Sequence, residues 1–153
     1  MRIEIVAVDR LRAAWAREAV DEYLGRVRRY CPAERREVKR GGEDRAAVIA
    51  EGERLLKLAA PGPADRLVAL DPSGEALDSR GWSELIGGLA SEGAGRVVFL
   101  VGGAGGLSDA VRAASRKVVS LGPQTVSHEL AQVILVEQLY RAWTILRGEP
   151  YHK

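Results

Sequence analysis

The chain has 153 residues, 46% hydrophobic and 29% charged, a balance that excludes a disordered polymer and predicts a single globular domain over 1–153. No apolar run reaches the roughly 18–20 residues of a membrane span, and Met1-Arg2-Ile3-Glu4 lacks the pattern of a secretory signal, so no membrane partner is expected. One cysteine, Cys31, and two histidines exclude an internal disulfide, leave no ligand set for a dedicated metal site, and point to a reducing cytoplasm.

The formal net charge of +2 is too small to announce a nucleic-acid binder. Of the 23 basic residues 19 are arginine, the side chain suited to bidentate phosphate contacts, although an arginine-favouring genome produces the same bias. Residues 1–45 carry 12 basic and 9 acidic side chains, so any positive surface is expected on the N-terminal part.

In chain order, the β-branched run Ile3–Val8 predicts a strand. Leu11, Trp15, Ala19, Tyr23, Leu24 and Val27 recur at helical spacing and predict a helix over Leu11–Arg29, stopped at Cys31-Pro32. Arg35–Val38 is a short strand. Gly41-Gly42 is a break, and Asp44 is placed to cap a helix that runs to about Ala59, before Pro61-Gly62-Pro63. Arg66–Leu70 predicts a buried strand ending in an Asp71–Gly74 turn. Ser79–Ser91 predicts a helix weakened by Gly87 and Gly88. Arg96–Val101 is the strongest strand and runs into Gly102-Gly103-Ala104-Gly105-Gly106. Ser108 caps a helix to about Arg116, Val118–Leu121 is a strand, and Gly122–Ser127 is a loop. A last helix runs from Ser127 to Arg147, closed by Gly148 and Pro150. Alternating strands and helices with apolar strands predict an α/β fold with a largely parallel sheet covered on both faces.

Such sheets bind ligands beyond the carboxyl ends of their strands. Three segments qualify: Asp71–Gly74, Gly102–Leu107 and Gly122–Ser127. The glycine loop matches neither a Walker A loop nor a dinucleotide fingerprint. Asp71 either meets a ligand or only caps its turn. Ser127 is either part of a binding loop or only an N-cap. His128 and Glu129 have no nucleophile partner, so a hydrolytic triad has no support. Glu137 and Arg141, four apart on one helix, form either a surface ion pair or one wall of a cleft. Tyr151-His152-Lys153 is either a solvated end or a docked clamp.

Val101-Gly102-Gly103, Gly106-Leu107-Ser108, Thr125-Val126-Ser127-His128, Glu137-Gln138-Leu139-Tyr140-Arg141-Ala142-Trp143 and Pro150-Tyr151-His152-Lys153 together resemble the RlmH family. These are small ribosomal-RNA methyltransferases of the SPOUT superfamily. The resemblance covers essentially the whole chain and implies an α/β-knot homodimer with a C-terminal trefoil knot. It implies S-adenosyl-L-methionine as methyl donor, no metal, and N3 of a pseudouridine in 23S rRNA of the assembled ribosome as acceptor. Carried onto this chain, the donor pocket comprises Leu70, Gly103 and the loop Gly122, Pro123, Gln124, Thr125, Val126 and Ser127. Glu137, Arg141, Tyr151 and His152 face the transferred methyl group, with the tail of one subunit completing the site of the other. Relatives commonly carry proline at the position of Ala104 and a larger residue at Gly105, which implies a larger ordering cost on donor binding here. Two other readings are a SPOUT enzyme acting on tRNA or another rRNA position, and a non-catalytic ribosome-associated module that kept the pocket.

Overall fold

A computed structural model describes residues 1–153. Five strands form one sheet: β1 (Arg2–Val8), β2 (Ala33–Val38), β3 (Asp65–Ala76), β4 (Arg96–Val101) and β5 (Lys117–Ser120). Their order is β2-β1-β4-β3-β5, and every pairing is parallel. The connecting helices are α1 (Ala14–Val27), α2 (Arg45–Ala59), α3 (Ser79–Ser91) and α4 (Asp109–Ala114), and α5 (His128–Leu146) closes the chain.

The period of two along the strands divides the core. Ile3, Ile5, Ala7, Val68, Val97, Phe99 and Val101 pack against α1, α3 and α5. Val6, Val8, Leu67, Ala69, Val98 and Leu100 pack against α2 and α4. Because β1, β3 and β4 are buried on both faces, their sequences read as near-continuous apolar runs. Asp44, Asp78, Ser108 and Ser127 each accept a backbone N–H in the first turn of α2, α3, α4 and α5.

Three expectations are corrected. The first helix begins at Ala14, because Leu11–Ala13 lie in the connection that follows the left-handed Asp9. The fourth helix ends at Ala114, before the short fifth strand at Lys117. Asp71–Gly74 is no terminal turn. It is an excursion inside a longer strand, since Leu70 and Glu75 both pair with Val119. A Cβ on Gly74 would stand 2.6 Å from the backbone of Val118 and Val119, so only glycine lets the excursion lie against β5.

The two ends of the sheet differ in character. At the amino end Glu4, 1% exposed, is held by Arg36 at 2.9 Å and Arg96 at 2.7 Å. At the carboxyl end the loops leave a cleft.

Candidate active site

The cleft lies beyond the carboxyl ends of β3, β4 and β5 and encloses about 400 Å³. That volume falls in the roughly 300–1,000 Å³ range of small-molecule sites. Leu70, Asp71 and Pro72 form one wall, Val101–Ala104 and Gly106 the second, and Ser120–Gly122 with Gln124–His128 and Ala131 the third. Of the expected donor residues, Leu70, Gly103, Gly122, Gln124, Thr125, Val126 and Ser127 line it. Pro123 is exposed and does not.

The glycine loop is shaped by its own packing. Gly103 and Gly106 pair with each other, and Gly106 has φ +81°. A Cβ on Gly102 would stand 2.7 Å from the Gly106 carbonyl group, and one on Gly105 would stand 2.5 Å from Val48 Cγ2. Gly102 is therefore required by the backbone it faces, whereas a side chain at position 105 would have to displace the Val48 side chain. On the opposite wall Asp71 accepts from the Ser73 hydroxyl at 2.6 Å and the Ser73 amide at 2.9 Å. Arg112 Nη1 reaches its second oxygen at 3.0 Å. Burial pushes the Asp71 carboxyl up, but Ser73 and Arg112 outweigh it and hold the group below its ordinary value. Asp71 thus shapes the turn and lines the cleft at once.

Ser127 likewise fills both of its alternatives, capping α5 at Leu130 N while lining the cleft. The next residue, His128, was not singled out for a role by its sequence context. It too lines the cleft, and its Nε2 is fully buried with no hydrogen-bond partner. Its position directly after the Gly122–Ser127 loop was the available signal.

A second cluster lies further along α5. Glu137 Oε1 accepts from Arg141 Nη2 at 2.5 Å and from the Tyr151 hydroxyl at 3.0 Å, while Oε2 accepts from Gln138 Nε2 at 2.6 Å. The Arg141 guanidinium stacks over the Tyr151 ring at 4.6 Å. The Tyr151 hydroxyl also lies 3.3 Å from that of Tyr23, and its ring meets Tyr140 edge-on at 4.7 Å. Burial, then Tyr23 and Glu137, push the Tyr151 phenol well above its ordinary range, so it stays protonated as a donor. The Arg141 cation is strengthened chiefly by its bond to Glu137. The ion pair is part-buried rather than on the surface, and Tyr151 is packed against Tyr140 and Arg141 rather than solvated. His152 is half-buried, and its Nδ1 is enclosed without a partner. Tyr23 was missed because it stands on α1, and nothing in its local sequence points to a partner at the chain end.

Within one chain the two clusters are not brought together. Glu137 is nine residues beyond His128 on one helix, about 13 Å at 1.5 Å per residue. None of Glu137, Arg141, Tyr151 and His152 lines the cleft.

A family model described as "Predicted SPOUT methyltransferase" matches residues 1–152. The chain belongs to the SPOUT methyltransferase family. Proteins named Ribosomal RNA large subunit methyltransferase H are similar over their full length. That of Geobacter metallireducens is 42% identical over 155 residues, 99% of each chain. That of Gemmatimonas aurantiaca is 40% identical over 155 residues, 100% of each. Among solved structures, a probable methyltransferase from Bordetella pertussis Tohama I matches with TM-score 0.55 at 15% identity, over 92% of this chain and 95% of that one. A probable methylase family protein from Haemophilus influenzae Rd KW20 matches with TM-score 0.56 at 9% identity, over 99% and 70%. These two likenesses concern the fold alone. No helix of this SPOUT methyltransferase is long and apolar enough to cross a membrane.

Proposed function

We propose that the protein transfers a methyl group from S-adenosyl-L-methionine to N3 of a pseudouridine in 23S rRNA of the assembled ribosome, acting in the cytoplasm as a knotted homodimer. The observation that carries the reading is the pairing of a nucleoside-sized cleft with a separate polar cluster ordered around Glu137, in a family of methyltransferases. The names of the full-length relatives support the rRNA substrate.

The cleft suits an adenosine-bearing donor. Leu70, Val101, Leu121, Val126 and Ala131 offer apolar walls, and the backbone of Gly103 and Gly122–Ser127 offers amides and carbonyls. When bound, the donor supplies an electrophilic methyl group on a sulfonium. Transfer forms the N3–carbon bond, breaks the sulfur–carbon bond, and requires N3 to lose its proton. Glu137 is poorly placed to take that proton, because three donors already occupy its oxygens. His152, with a free enclosed Nδ1, is the better base. Arg141, with only Nη2 engaged by Glu137, donates towards the oxygen on which charge develops, and Tyr151, its hydroxyl hydrogen given to Glu137, holds that guanidinium over its ring. His128, whose enclosed Nε2 has no partner in the protein, is free to bond the donor in the cleft.

The separation along α5 favours a site shared between two copies, in which the tail of one subunit closes the cleft of the other. Trp15, 53% exposed, and Leu130, 41% exposed, offer apolar surface near the start of α5 for that contact.

The test is transfer of labelled methyl from S-adenosylmethionine to intact ribosomes lacking the modification, with naked rRNA and tRNA alongside. Label confined to large-subunit rRNA of intact ribosomes is expected. Label in tRNA moves the substrate, and donor binding without any transfer overturns the enzyme reading.

A further inference from the structure

We propose that a second cavity, between the carboxyl ends of β1 and β2 and the start of α1, is a groove for the phosphodiester backbone of the RNA substrate. The proposal deepens the reading of the chain as an rRNA methyltransferase and rests on it for the identity of the polymer.

This cavity encloses about 590 Å³, and its walls carry Arg10, Arg12, Arg17 and Arg35 against only two carboxylates, Asp21 and Glu37. Its walls are fixed in place. Arg17 Nη1 donates to the carbonyls of Leu11 at 3.0 Å and Arg12 at 2.6 Å, so it is locked while no carboxylate pairs with its charge. Arg35 is anchored by Gln132 Oε1 at 2.7 Å, the Asp9 carbonyl at 2.9 Å and Glu37 at 2.5 Å. At the rim, the Arg10 guanidinium makes no ion pair, and the Arg12 side chain is 61% exposed while Asp9 holds it at 3.1 Å. Asp9 organises the corner. It takes φ +68°, accepts the Arg10 amide at 2.9 Å, and its carbonyl holds Arg35. Fixed cations lose little freedom on binding, and planar guanidiniums match phosphate oxygens.

Placement decides the ligand. The parallel sheet puts the carboxyl ends of β1 and β2 at the same end of the sheet as the cleft. The start of α5 lines the cleft at His128 and Ala131 and braces the residues of the groove. Glu129, next to His128, accepts the amides of Arg12 and Ala13, and Gln132 holds Arg35. A strand that delivers one nucleotide to the cleft therefore carries its neighbouring phosphates over these arginines. Such contacts position the strand without reading its sequence.

The experiment measures binding of a short mixed-sequence RNA hairpin, and methylation of unmodified ribosomes, against salt concentration. The variants are Arg10→Gln, Arg10→Gln/Arg12→Gln and Arg10→Lys, with donor affinity as the folding control. The slope of log affinity against log salt is expected to fall by about 1 for the single variant and about 2 for the double. The lysine variant retains the slope, and the Michaelis constant for ribosomes rises in step with the loss. An unchanged slope for hairpin binding overturns the proposal. Impaired ribosome methylation with unchanged hairpin binding also overturns it and assigns the groove to an acidic protein surface. If no rRNA is methylated but the slope falls as stated, the substrate reading fails and the groove stands.

Discussion

At the start of α5 the cleft leaves His128 Nε2 unpaired, and two of its walls are the loops that follow β4 and β5. Near the other end, Glu137 has both oxygens engaged, Arg141 is stacked, and the Tyr151 hydroxyl touches two partners. In the proposed function a ligand completes the first region. In the second, the protein's own bonds hold Glu137, Arg141 and Tyr151 in place before any substrate arrives. Binding and chemistry should therefore be separable by mutation.

Deleting Tyr151–Lys153 should separate them most widely. Turnover is expected to fall roughly 10²–10⁴-fold while calorimetry shows donor affinity nearly intact, because the tail does not line the cleft of its own chain. Full activity in the truncated protein would remove the tail from the reaction. Gly102→Ala should do the reverse. Its Cβ would strike the Gly106 carbonyl group, so the loop must move, at a cost of about 1–3 kcal/mol in denaturant unfolding. Donor affinity should fall with it, while the tail cluster, lying elsewhere on α5, keeps its geometry.

Tyr23→Phe is a gentler probe of the second region. Loss of the hydroxyl beside Tyr151 should cost about 1 kcal/mol in stability and lower turnover several-fold, with donor affinity unmoved. Equal losses in turnover and donor affinity would show that the regions are coupled.

The smallest effect concerns pH at the cleft wall. Asp71 is held below its ordinary value of 3.8, so its contribution is present above that pH and is lost as pH falls through the lower folded value. Asp71→Asn should remove on the order of 1 kcal/mol at neutral pH and flatten this part of the acid limb, measured by urea unfolding at successive pH values.

Local signals made most of this fold legible. The apolar runs at Ile3–Val8 and Arg96–Val101 marked buried parallel strands, and Asp44, Ser108 and Ser127 marked helix starts. The Asp71–Gly74 excursion misled because Pro-Ser-Gly reads as a turn. Its return to pairing depends on β5, more than forty residues later. In the site, the glycine loop and the Gly122–Ser127 segment were visible as interruptions between packed elements. Pro123 belonged to that segment by position, but its side chain turns to solvent.

The amino-acid sequence by itself determined the element types, the parallel sheet and the two loops that follow β4 and β5, because those follow from periodicity, capping residues and glycine placed within a few positions of one another. Only the tertiary structure decided which groups meet. Tyr23 reaches Tyr151 across 128 positions, Arg35 reaches Gln132 across 97, and the rigid rise of α5 holds Glu137 away from His128. Such contacts come from how helices pack on a sheet, and no local pattern of residues encodes the distance between two surfaces that fold together from opposite ends of a chain.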